Sequence, residues 1–177
     1  MLQYPHHLDG MKKFAKAFCR THVFAGVQGK AGTAALKANG KPNPDFGKTV
    51  ALYLGLKLFK QGSIAIFCGK PETASNICKK AVEYYSRGLS LPLPSNISDE
   101  KELERLHRLY IANLGADDTS TNGALLGIFS HHGNTPHGIR LAVEHAMRES
   151  LVKFVICTST LAQGVNLPIR YLIVTGF

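Results

Sequence analysis

Residues 153–176 read KFVICTSTLAQGVNLPIRYLIVTG, and this stretch decides the fold. It opens on an apolar run, Phe154-Val155-Ile156-Cys157, without polar alternation. Such a run is expected of a strand covered on both faces, as in a parallel sheet with helices above and below it. The strand ends in three small hydroxyl residues, Thr158, Ser159 and Thr160. A glycine turn at Gly164 with Asn166 follows, then Pro168, then a second buried run over Tyr171–Gly176. Open α/β sheets bind ligands outside the carboxyl ends of their strands. Hydroxyls and free backbone N–H groups at that edge suit phosphate oxygens.

Two more strand-like runs lie upstream, Ser63–Cys68 (SIAIFC) and Gly127–His132 (GIFSHH), the second being the weakest of the four. Helical patterns separate them. Asp45 is placed to cap a helix over about residues 46–60, with Val50, Leu54 and Leu58 at four-residue spacing and Gly62 just past its end. Pro71 opens a second helix, with Glu72 in its first turn and Ala74, Ile77, Cys78, Ala81 and Val82 on one stripe. Ser98, followed by Asp99 and Glu100, starts a third, with Leu103, Leu106 and Tyr110 inward and Gly115 at its end. A fourth spans about His137–Ser150 and buries Ile139, Val143, Ala146 and Met147. Strands alternating with helices predict an α/β fold with a parallel sheet built from right-handed crossover units. Residues 25–44, rich in Gly, Ala, Lys and Asn, read as a loop or partly disordered segment. Residues 88–97, with Pro92 and Pro94, read as an extended connection.

The 177 residues suit one domain of ordinary size, and 45% of them are hydrophobic, enough for a core. No run of 18 apolar residues occurs, which excludes a membrane-spanning helix by length. Met11–Arg20 is cationic and amphipathic, but Asp9 precedes it and no apolar core follows, so a surface helix is expected rather than a targeting peptide. The net charge of +9 is unevenly placed: residues 1–60 carry ten Lys/Arg against Asp9 and Asp45, while residues 61–177 nearly balance. A basic N-terminal third suits phosphate contact through counterion release. A solvated surface helix with a tail accounts for it equally. Cys19, Cys68, Cys78 and Cys157 show no CxxC spacing, a pattern of a reduced, intracellular, cytoplasmic protein without a disulfide framework.

Three short motifs suggest chemistry and fail on context. Gly47-Lys48-Thr49 resembles the end of a phosphate-binding P-loop, but Pro42 stands where that loop needs glycine, and no strand-like run precedes it. His131, His132 and His137 invite a metal reading. Adjacent strand residues point to opposite sides, however, and no carboxylate or cysteine lies near them at ligand spacing. Ser130 beside His131 lacks a nucleophile elbow, and Cys157 is expected to be buried in its strand.

TSTLAQGVNLP, residues 158–168, closely resembles motif V of the DEAD/DEAH-box-like superfamily 2 helicases, in the superkiller-like branch where Asn replaces an acidic residue. Upstream, GSIAIFCGKPETASNICKK resembles motif IV of the same family. Between them, GIFSHHGNTPHGIRLAVEHAMRESLVKFVICT resembles its pattern of HHG followed by Arg, Val-Glu and a strand. The resemblance covers residues 46–177 and implies a partial C-terminal RecA-like domain over 45–177, preceded by a basic segment over 1–44. It further implies that Cys68, Gly69 and Lys70 lie along a nucleic-acid backbone, with His131, His132 and Gly133 as the next loop and Arg140 as the family arginine. Thr158, Ser159 and Thr160 would contact the phosphates of single-stranded DNA or RNA. Gln163, Gly164 and Asn166 would face an ATP, with its Mg2+, held mainly by the first RecA-like lobe of the same parent chain.

Two departures qualify the resemblance. HHGNTP differs from the commoner HHAGL form, which affects Asn134 and Thr135. The sequence also contains no QxxGRxGR-like motif VI and neither Walker motif. An arginine from motif VI would stabilise charge on the transferring phosphoryl group. The expectation is therefore a fragment of an ATP-dependent helicase that does not hydrolyse ATP alone. The alternative is a stand-alone α/β module that binds nucleic acid or protein without motor activity.

Overall fold

The structure, a computed structural model, describes residues 44–161 and 166–175. The expectations for Met11–Arg20 and for residues 25–43 lie outside the described residues, as do Gln163 and Gly164. The described chain runs α1 (Pro44–Leu58), β1 (Ile64–Cys68), α2 (Pro71–Ser86), α3 (Glu100–Leu114), α4 (Thr119–Leu125), β2 (Phe129–His131), α5 (His137–Arg148), β3 (Phe154–Cys157) and β4 (Tyr171–Thr175). The four strands form one sheet in the order β2-β3-β1-β4, every neighbouring pair parallel. All four lie within the runs read as strands from sequence, and GIFSHH yields the shortest, at an edge. The run over 171–176, expected to be buried, forms instead the other edge strand, with Leu172 and Val174 exposed on one face.

Alternating residues of the central strands face two separate cores. Ile64, Ile66, Phe154 and Ile156 pack under α1 and α2, against Leu52, Leu56, Ile77 and Ala81. Ala65, Val155, Cys157 and Phe129 pack on the other side, against Leu106 and Tyr110 of α3 and Ile139, Val143 and Met147 of α5. Covering both faces explains why the strands read as unbroken apolar runs.

Helix α1 departs from its predicted form. It begins at Pro44, so Asp45 lies inside the first turn rather than at the cap. Its buried face is Thr49, Leu52, Tyr53 and Leu56, continued by Phe59 in the 3-10 turn that follows, whereas Val50, Leu54 and Leu58 are only partly covered. The helix is apolar around most of its circumference, so four-residue spacing selects more than one stripe. Contact with the sheet and α2 decides between them. For α3 the cap is Asp99, whose Oδ1 accepts the Glu102 N–H at 2.8 Å. Ser98 instead donates its hydroxyl to the Pro94 carbonyl, within a 3-10 turn over Pro94–Ile97 where an extended connection was expected.

Helix α4 was not foreseen. Its sequence, TSTNGAL, has weak helix propensity. Asp118 caps it through a 2.7 Å bond from the Ser120 N–H, and tertiary contact supplies the rest, because Thr121, Gly123 and Ala124 are buried where α4 meets α2 and α3. A Cβ on Gly123 would lie 2.6 Å from the Cys78 sulfur, so only glycine permits this approach. The helix ends in a Schellman turn: the Gly127 N–H bonds to the Ala124 carbonyl and the Ile128 N–H to the Gly123 carbonyl, each at 3.0 Å. Gly127 has φ +73°, and a Cβ there would sit 2.5 Å from the Ser95 nitrogen. This turn aims the chain into β2. Gly127→Ala should therefore destabilise the fold by about 1–3 kcal/mol, combining left-handed strain with overpacking, measurable as a lower denaturant midpoint at unchanged slope.

Candidate nucleic-acid interface

Because every strand points the same way, the segments after Cys68, His131 and Cys157 all emerge at one edge of the sheet. The chain leaves β1 toward β2 by way of α2, and leaves the adjacent β3 in the opposite direction toward β4. A crevice opens where neighbouring strands send their connections apart, the place where open α/β sheets take ligands. Phe67 pairs with Cys157 and His131 with Cys157, so Cys68, His132 and Thr158 come next on three adjacent strands, about 4.8 Å apart.

At the end of β1, Gly69 and Lys70 are exposed, with Lys70 as the extended cap residue before Pro71 of α2. Cys68 is buried under α2, its sulfur accepting from the Thr175 hydroxyl at 3.5 Å. Its thiol therefore does not face the crevice, and only its backbone lies along that edge. Burial also raises the thiols, Cys157 to about 12, which keeps them protonated and unreactive.

The paired histidines are interior groups. His131 is fully buried, and its Nε2 lies 2.7 Å from Oε1 of Glu144 on α5. A carboxylate only accepts, so Nε2 carries the proton. His132 points the other way, with Nε2 3.2 Å from the Ser75 hydroxyl of α2 and Nδ1 3.4 Å from the Thr135 hydroxyl. Thr135 also accepts the His132 N–H, at 3.3 Å. Gly133 and Asn134 are exposed at the tip of this knot. Neither imidazole presents a surface for a ligand, and each ties the loop to a flanking helix.

Arg140 lies in the first turn of α5, at the same edge, with Nη2 3.4 Å from His137 Nδ1. Its Nε is buried and has no partner among the described residues. No acid occupies that first turn, and Pro136 provides no side-chain cap, which leaves the helix N-terminus suited to an anion. After β3, the Thr158 N–H donates to the His131 carbonyl at 3.1 Å. Thr158 is buried and Ser159 exposed, in a 3-10 turn over Ser159–Leu161. Asn166 is exposed and lines, with Thr158, a groove of about 470 Å³ that is otherwise apolar: Phe67, Leu167, Ile169, Leu172 and Val174. Leu172 is 61% exposed.

The structure thus gathers the exposed Gly69, Lys70, Gly133 and Ser159 and the half-buried Arg140 at one edge, and sets Cys68, His131, His132 and Thr158 beneath them. Ser75 carries no sequence signal; Thr135 stands in the HHGNTP departure and Glu144 is the Glu of the Val-Glu pattern, but neither was given a role from sequence. Glu144 falls four residues after Arg140, one helical turn along the same face. Among the described residues no three His, Cys, Asp or Glu side chains are placed to hold a metal ion. Gly47-Lys48-Thr49 lies inside α1, with the Thr49 hydroxyl buried 3.4 Å from that of Tyr84. No described helix is long and apolar enough to cross a membrane.

A parallel sheet with helices on both faces and its loops gathered at the strand ends is an α/β, RecA-like fold. No protein-family model matches the chain. Its sequence is similar to helicases. It is 31% identical over 123 residues to Helicase POLQ-like of Caenorhabditis elegans, covering 67% of this chain and 12% of that protein. Identity reaches 45% over 51 residues, 29% of this chain and 7% of the relative, with the ATP-dependent DNA helicase Hel308 of Aeropyrum pernix. With the RQC trigger complex helicase SLH1 of Saccharomyces cerevisiae it is 35% over 81 residues, 46% of this chain and 4% of that one. The chain therefore spans a small part of the length of these relatives.

Burial lowers the pKa of His132 from its ordinary value; His131 adds to the effect and Glu72 opposes it. With the folded pKa below the unfolded one, the unfolded chain binds the proton more readily. Stability is then full above about pH 6.5 and falls as pH drops below it. The melting temperature should decline from pH 7 to pH 5, and His132→Gln should flatten the part of that decline due to this group.

Proposed function

We propose that this chain is the strand-gripping part of the C-terminal RecA-like lobe of an ATP-dependent, superkiller-like superfamily 2 helicase. The observation that carries this reading is the meeting of Gly69, Lys70, Gly133, Arg140 and Ser159 at the switch-point edge of the sheet. Small residues, a hydroxyl, a helix N-terminus and two cations suit contact with a phosphate backbone. The helicase relatives, matched over part of their length, support the same class.

In this reading single-stranded DNA or RNA runs across the ends of β2, β3 and β1. Lys70 and Arg140 neutralise phosphates, while backbone N–H groups and the Ser159 hydroxyl orient the sugar-phosphate chain. Nucleotide chemistry belongs to the intact parent, in which ATP with Mg2+, bound chiefly by a first lobe, would supply the driving force. Asn166, with Gln163 and Gly164, is this chain's contribution to that shared site. The described residues fit a partner role better than a nucleotide pocket of their own, because the only GKT triplet is inside a helix and its threonine hydroxyl is buried.

The 177-residue chain should bind a fluorescein-labelled oligothymidylate or oligouridylate weakly and lose it as salt rises, with no detectable ATPase. Lys70→Ala should reduce the slope of log affinity against log salt by about 0.7, one single-strand phosphate contact. Robust hydrolysis by the chain alone, or salt-insensitive binding, would overturn the proposal and favour a free-standing module. In a full-length parent, Thr158→Ala should weaken the stimulation of ATPase by nucleic acid. Undiminished stimulation would remove the motif V assignment.

A further inference from the structure

We propose that Glu144 is a positioning residue: through His131 it fixes both the Thr158 loop and Arg140 in register at the strand-contacting edge, a role that rests on the reading of that edge given above. Glu144 lies in the middle of α5 with its side chain 15% exposed, and Oε1 accepts from a fully buried imidazole at 2.7 Å. Taking a carboxylate and an imidazole out of water is costly, and apolar residues of similar size often serve a core at least as well. A requirement for one fixed geometry gives the pair a reason to be there.

Two consequences of the bond reach the surface. The first passes through the main chain. His131 is the last residue of β2, and its carbonyl accepts the Thr158 N–H at 3.1 Å, one step beyond the His131–Cys157 pairing. Holding the His131 ring holds this carbonyl, and thereby the point at which β3 turns into the exposed Ser159. The second passes through the helix. Glu144 and Arg140 are one turn apart on the same face of α5, so anchoring Glu144 to the strand sets the rotation of α5 about its axis. That rotation directs the Arg140 guanidinium, whose Nε has no partner among the described residues, toward the edge. Glu144 itself touches no ligand.

The test uses the full chain and three substitutions. Glu144→Gln keeps an acceptor oxygen at the same reach, Glu144→Asp withdraws it by one methylene, and Glu144→Ala removes it. Amide hydrogen exchange by NMR should show Thr158 losing protection about tenfold in the Ala and Asp variants, while amides of the β1–β3 ladder, Ile66 and Cys157 among them, keep theirs. Glu144→Gln should retain Thr158 protection. Affinity for the labelled oligothymidylate should follow the same order. If Glu144→Ala does not fold, Glu144→Asp provides the reading. Unchanged Thr158 protection, or an equal loss across all sheet amides that Gln fails to rescue, would overturn the proposal. Failure of the unsubstituted chain to bind any single strand would overturn the strand-grip reading instead, and the Thr158 amide would still decide whether Glu144 positions that loop.

Discussion

Strands hydrogen-bonded in parallel must all end on the same side of a sheet, and this constraint organises the rest of the molecule. It sends every return crossing through a helix or a long loop, so both faces of the central strands β1 and β3 become covered and those strands apolar throughout. It also delivers the residues after β1, β2 and β3 to a single edge although they lie as far apart in sequence as Gly69 and Ser159. With β1 and β3 adjacent and their connections diverging, the segments after both strands are brought side by side.

Beneath that edge lies a polar layer. His131 joins β2 to α5 through Glu144, and His132 joins the following loop to α2 through Ser75 and to itself through Thr135. An entirely apolar junction could slide. Hydrogen bonds of defined direction cannot slide without leaving a buried group unsatisfied, which costs about 1–3 kcal/mol. The exposed residues of that edge are thus held in place by buried partners beneath them.

The central strands β1 and β3 were readable because burial on both faces leaves a short run of Ile, Val and Phe bounded by turn residues. Helices α2 and α5 were readable because one face meets solvent and the other the core, so Ala74, Ile77 and Ala81, or Ile139, Val143 and Met147, stand out at helical spacing. Helix α1 was readable as a helix but not in its orientation, since residues apolar on nearly every side do not declare which stripe is inward. Helix α4 left no pattern: Thr119-Ser120-Thr121-Asn122-Gly123 is a poor helix in isolation and is held by Asp118 and by close contact with Cys78. At the site, hydroxyls after an apolar strand marked Thr158 and Ser159, yet nothing local distinguishes an exposed histidine from a buried one.

Local composition and periodicity therefore determined the fold class, the four strands and the loops that carry polar residues, because these follow from short-range alternation and from the chemistry of individual side chains. The tertiary structure alone decided the strand order, the divergence of β1 and β3, the inward stripe of α1, and the burial of Cys68 and of both histidines. It also decided the pairing of His131 with Glu144, thirteen residues apart. Each of these depends on which surfaces meet across the sheet. A contact between distant residues is set by the sum of burial and hydrogen bonding over the whole domain, and no stretch of the chain records that sum by itself.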